Sequence, residues 1–75
     1  MEQSRELVSL VDLASEMGCN TSKIAFYARC GVIRRVATVG KTGIYDKTEA
    51  LARLRAAEDL KDEGYTLAEI GERFK

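Results

Sequence analysis

The spacing of Ser9, Gly18, Asn20 and Gly31 constrains this chain more than any other feature. Ser9 is an N-cap residue, and Asp12 three positions on stands close to a capping box, where Glu or Gln is the usual partner. Leu10, Leu13, Ala14 and Met17 follow at i, i+3, i+4 and i+7, the pattern of one apolar helix face. Gly18 can adopt the left-handed conformation that stops such a helix. Asn20 then caps a second short helix that runs to Gly31. Ile24 and Tyr27, three apart, face back onto the first helix. Two short helices joined by a tight, Gly-containing turn form a helix-turn-helix.

At 100° per residue, Ser22, Ala25, Phe26 and Arg29 gather on the outward side of the second helix, with Lys23 on its flank. A hydroxyl, a methyl, an aromatic ring and a base on one exposed face can meet phosphates and base edges in a DNA major groove. Downstream, Val32-Ile33-Arg34-Arg35-Val36 reads as a short strand, which would send Arg34 and Arg35 to opposite faces. Residues 38–43 are small and Gly-rich, hence a loop, and Ile44-Tyr45 is a minimal second strand. The pair makes a β-hairpin, the wing of a winged helix, with Lys41 at its tip. Gly40-Lys41-Thr42-Gly43 lacks the eight-residue pattern of a phosphate-binding loop, so nucleotide binding is rejected.

Asp46 caps a third helix with Glu49 in its first turn. Ala50, Leu51, Leu54, Ala57 and Leu60 form its buried stripe, and Gly64 ends it. Thr66 and Glu69 make a full capping box for a fourth, short helix with Leu67, Ile70 and Phe74 inward. The expected fold is mainly α: a small winged helix-turn-helix of four helices with a two-stranded β wing, one domain over residues 1–75. Leu13, Ile24, Leu54 and Ile70, one from each helix, should meet in its core.

Charge distribution carries the next step. The 75 residues hold 12 bases and 12 acids, and a net charge of zero is poor for a DNA binder. The charges are segregated, however. Residues 21–47 hold Lys23, Arg29, Arg34, Arg35, Lys41 and Lys47 against Asp46 alone, a local charge of +5, while the flanking segments are acidic at −3 and −2. Local charge sets where phosphates dock. Asp59, Asp62 and Glu63 on the third helix should point away from DNA. With no histidine, no nucleophile beside a base and no carboxylate pair in a cleft, an enzyme has no support. Two cysteines without histidine argue for a reducing cytosol and against a metal site, and no cofactor is implied. Cys30 reads as buried and Cys19 as a turn residue. At 45% apolar residues the chain can build a core, yet no apolar run is long enough to span a membrane, and no signal peptide opens it.

The order of these elements resembles the DNA-binding domain of the MerR family over residues 8–75. Leu13-Ala14, Gly18-Cys19-Asn20, Lys23-Ile24-Ala25-Phe26-Tyr27-Ala28-Arg29 and Gly31-Val32 fall where members carry "LA-x-x-x-G-V-S-x-x-T-I-R-Y-Y-E-R-x-G-L". Tyr45 through Leu54 is similar to the family's "Y-x-x-x-D-x-x-x-L" region, and Gly64-Tyr65-Thr66-Leu67-Ala68-Glu69-Ile70 to its "G-[FY]-[ST]-L-x-E-I". The resemblance implies a cytoplasmic transcription regulator that binds double-stranded DNA with its second helix in the major groove and its wing on the backbone. Ser22, Lys23, Ala25, Phe26, Tyr27, Arg29, Arg34, Arg35 and Lys41 are then the candidate contacts. The chain departs from the family at several of them. Lys23 and Ala25 replace the Thr and Arg around the Ile, Ala28 replaces the Glu, and Phe26 has no hydroxyl. The wing lacks the common Gly-Tyr-Arg triplet. The sequence does not continue into the long dimerisation helix and effector domain of family regulators, so further affinity on DNA would come from a homo-oligomer or a second protein. An excisionase-like or DNA-packaging architectural protein stands as one alternative. A protein-interaction module without DNA binding is the other.

Overall fold

The computed structural model describes residues 6–74. Residues 1–5 and Lys75, included in the single-domain expectation, lie outside the described residues, as do the charges of Glu2 and Arg5. In chain order the elements are β1 (Leu7–Val8), α1 (Leu10–Met17), α2 (Thr21–Arg29), β2 (Ala37–Val39), β3 (Thr42–Asp46), α3 (Lys47–Asp62) and α4 (Leu67–Arg73).

Local hydrogen bonding explains why the helices begin and end where they do. The Ser9 hydroxyl accepts from the Asp12 amide at 3.4 Å, and the Asp12 carboxylate accepts from the Ser9 amide at 3.3 Å. Asp12 therefore completes a capping box with a side chain one methylene shorter than the usual Glu. Gly18, at φ 71°, turns the chain out of α1, and the Cys19 amide closes on the Ala14 carbonyl at 3.0 Å. Asn20 opens α2 by accepting from the Lys23 amide at 2.9 Å. Asp46 accepts from the Glu49 amide at 3.2 Å to start α3. Thr66 and Glu69 form both arms of their capping box, at 3.2 and 2.8 Å.

The strand expected at Val32–Val36 does not form. Val32 and Ile33 are consecutive and both buried, at 0% and 3% exposure. A pleated strand sends neighbours to opposite faces, so a segment that buries both must bend. The strand starts later, at Ala37, and takes up residues expected to be loop. The hairpin register is Ala37↔Ile44, Thr38↔Gly43 and Val39↔Thr42, closed by the two-residue turn Gly40-Lys41. Gly40 has φ 63° and Lys41 does not share the positive φ, which suits a glycine at the first central position.

The wing also carries a third strand that the sequence pattern did not reveal. β1 pairs antiparallel with β3 through Leu7↔Asp46 and Val8↔Tyr45, giving the order β1-β3-β2. The Lys47 amide donates to the Glu6 carbonyl at 2.9 Å, extending this contact by one residue. The segment leading into the helix-turn-helix is thereby hydrogen-bonded to the wing.

The core lies where the four helices converge. Leu13, Ile24, Leu54 and Ile70 are all fully buried, joined by Val32. α4 reaches the core through Gly71, where a β-carbon would strike the Cys30 carbonyl. Cys30 itself is half-buried, not buried as expected, because it caps the end of α2.

Candidate nucleic-acid interface

α2 and the wing border a concave groove of about 780 Å³. Ala25, Ala28 and Arg29 form its helix wall. Gly31, Ile33, Arg34 and Arg35 line its floor, and Lys41, Gly43 and Tyr45 come from the wing. Four of the lining residues are cations and none is acidic. Arg29, Arg34, Arg35 and Lys41 form no ion pair with another described residue. A positive concavity with unpaired bases has the electrostatic form that attracts a polyanion.

Arg34 and Arg35 share this groove instead of facing opposite ways. The pleat does not apply to them, since they precede β2 in irregular backbone. The Arg35 stem lies against Gly43, where a β-carbon would approach its Cδ to 2.5 Å. Burial pushes the Tyr45 phenol above its ordinary pKa, and the Arg35 charge pulls partly against that rise.

On α2 the outward face is Ser22, Phe26 and Arg29, all exposed, with Ala25 half-buried at the groove edge. Phe26 is 45% exposed, and the Arg29 guanidinium sits over its ring, 5.9 Å from the centroid. The other flank of α2 behaves differently. Tyr27 is 2% exposed, and its hydroxyl donates to Glu58 Oε2 at 2.7 Å. Lys23 Nζ lies 3.0 Å from the same oxygen. The structure thus turns Tyr27 into the core and engages Lys23 with α3, away from the other candidates. Glu58 is held below the ordinary carboxylate range, first by the Tyr27 hydrogen bond and then by Lys23. Lys23 is correspondingly raised, chiefly by its hydrogen bond to Glu58, with a smaller contribution from the Asp62 charge. The acidic C-terminal half of α3 therefore stands beside the first turns of α2.

Lys47, counted in the basic segment, is also engaged elsewhere, at 3.3 Å from Glu16 and 3.6 Å from Glu6. Of the six bases in residues 21–47, the four unpaired ones line the groove and the other two do not.

Two organising residues were missed in the sequence. Glu58 follows Leu51 and Leu54 at i+7 and i+4, so an acid on the buried stripe was the available signal. Arg53 donates to the Val32 carbonyl at 3.5 Å and the Phe74 carbonyl at 3.3 Å, tying the exit of α2 to the end of α4. No periodicity marks that role.

Among the described residues, no helix is long and apolar enough to cross a membrane. No curated protein matches the chain, and no solved structure does. The family model described as MerR HTH family regulatory protein matches residues 8–75, nearly the whole chain and all seven elements except the first residue of β1. The chain belongs to this helix-turn-helix family of DNA-binding transcription regulators.

Proposed function

We propose that the chain binds double-stranded DNA sequence-specifically, with α2 in the major groove and the wing on the adjacent backbone. The carrying observation is the groove between α2 and the wing, lined by Arg29, Arg34, Arg35 and Lys41 with no acid among them. In this mode Ser22, Phe26 and Arg29 face base edges, and Ala25 lies at the rim. Arg34, Arg35 and Lys41 meet phosphates, which fix register without reading sequence. Lys23 and Tyr27 act from behind, holding α2 to α3 through Glu58. One such domain reads few bases, so a second copy or a second DNA-bound protein supplies the remaining affinity.

Selection from randomised duplexes tests this reading, followed by titration of the recovered sequences by fluorescence anisotropy. The expected outcome is an enriched motif, with binding that weakens steeply as salt rises. Recovery of no motif and no retention of duplex at low salt would instead favour a protein-interaction module. Retention without a motif would favour an architectural DNA binder.

A further inference from the structure

Resting on the DNA-binding reading, we infer that Phe26 reads the methyl group of a thymine and that Arg29, held over its ring, reads a neighbouring guanine. The pair would make α2 a reader of a thymine–guanine step.

Phe26 is the largest apolar side chain on the outward face of α2, and it is 45% exposed. The core does not account for it, because Ile24 and Tyr27 supply the buried contacts of that helix. Phenylalanine lacks the hydroxyl that would reach a phosphate or a base acceptor, so its remaining complement is apolar. In the major groove the one apolar group on a base edge is the thymine C5-methyl. Arg29 lies one helical turn further on, over the same ring at 5.9 Å. A guanidinium restrained by an aromatic face loses less freedom when it forms its hydrogen bonds, and its bidentate partner in the major groove is guanine O6 and N7. Stacked bases are about 3.4 Å apart along a strand, and the 5.9 Å between guanidinium and ring centroid is less than two such steps, so the two groups can address neighbouring bases.

The test uses duplexes recovered from a randomised library and resynthesised with uracil replacing thymine, one position at a time. This removes the methyl and leaves pairing unchanged. Wild-type protein should bind the critical uracil duplex about fourfold more weakly, the worth of one buried methyl group. Phe26→Ala should bind thymine and uracil duplexes alike. Phe26 is exposed, so the variant should keep the wild-type melting temperature, which is measured alongside. Arg29→Ala should keep the preference for thymine over uracil and lose the neighbouring guanine. Equal binding of both duplexes by wild type, or discrimination surviving in Phe26→Ala, overturns the assignment. A purely structural role for Phe26 would weaken both duplexes equally. If wild type retains no duplex at low salt, the DNA-binding reading fails and this assignment fails with it.

Discussion

At the scale of single residues, a hydrogen atom matters as much as any side chain. A β-carbon at position 71 would meet the Cys30 carbonyl, a backbone group that cannot swing aside. In a helix interior Ala normally gains about 1 kcal/mol over Gly. Here overpacking, at about 1–3 kcal/mol, opposes that gain. Gly71→Ala should therefore lower the midpoint of urea unfolding, where propensity alone would raise it. Arg29 and Lys23 make a second contrast. Both are bases on α2, and their spacing alone gave both to DNA. Arg29 lies over the Phe26 ring and pairs with no acid among the described residues, whereas Lys23 is engaged by Glu58. Arg29→Ala should cost about 1–3 kcal/mol of binding and relax base preference at one position. Lys23→Ala should weaken binding less, because its charge is already opposed in the free protein. Titrations of both variants against the selected duplex, and against one changed at the guanine, would check this; equal losses would contradict the assignment. Arg29's place was legible because a helical wheel fixes which side a residue takes. Lys23's engagement was not, because its partner lies on another helix far along the chain.

At the scale of elements, boundaries set by local chemistry were legible and those set by burial were not. Ser9, Asn20, Asp46 and Thr66 each cap the helix they were expected to cap, since a cap bonds an amide three residues away. The strand at Val32–Val36 failed because its β-branched composition says nothing of two neighbours being buried together. β1 escaped notice because two residues carry no period, and its partner β3 lies beyond both helices of the motif. The same non-local character places Glu58 between elements, joining α3 to α2 through Tyr27 and Lys23. Folding favours its ionised form, so its folded pKa lies below the ordinary 4.5. The stability it contributes is present above 4.5 and is lost as pH falls below that value through the lowered folded one. Glu58→Gln should remove this share of the acid dependence. Its melting temperature should fall less than that of wild type between pH 5 and pH 3, while Glu69, also lowered by its capping bonds, still contributes to both. Parallel acid curves for the two proteins would show that the Glu58 contacts do not persist in solution.

At the scale of the whole molecule, a core and a charge pattern have to be satisfied by the same short chain. Leu54 is at the centre of the first, fully buried on the helix that packs against α1, α4 and β3. Leu54→Ala should cost about 2–5 kcal/mol. Total stabilities are about 5–15 kcal/mol, so thermal unfolding should move far down or be lost; an unchanged melting temperature would contradict the packing of α3. The charge pattern resolves the conflict between zero net charge and a polyanionic ligand. Acids on α1 and α3 hold Lys47 and Lys23, and of the six bases in residues 21–47 the four without an ion pair to a described residue line one groove. Six bases could be counted in residues 21–47, but which of them stay available depends on where Glu16 and Glu58 lie after folding. Each phosphate neutralised on B-DNA contributes about −0.9 to the slope of log K against log salt, so the three contacts by Arg34, Arg35 and Lys41 give a slope near −2.7. Lys41, at the hairpin turn, belongs to that set without touching base edges. Lys41→Ala should bring the slope to about −1.8 and weaken every duplex by a similar factor, leaving sequence preference intact. Anisotropy titrations across a salt series, run on the selected duplex and on a scrambled one, read both quantities at once. A slope unchanged by Lys41→Ala would remove the wing from the interface, and a wild-type slope near −4.5 would mean that Lys23 and Lys47 leave their acids and that five bases reach phosphate.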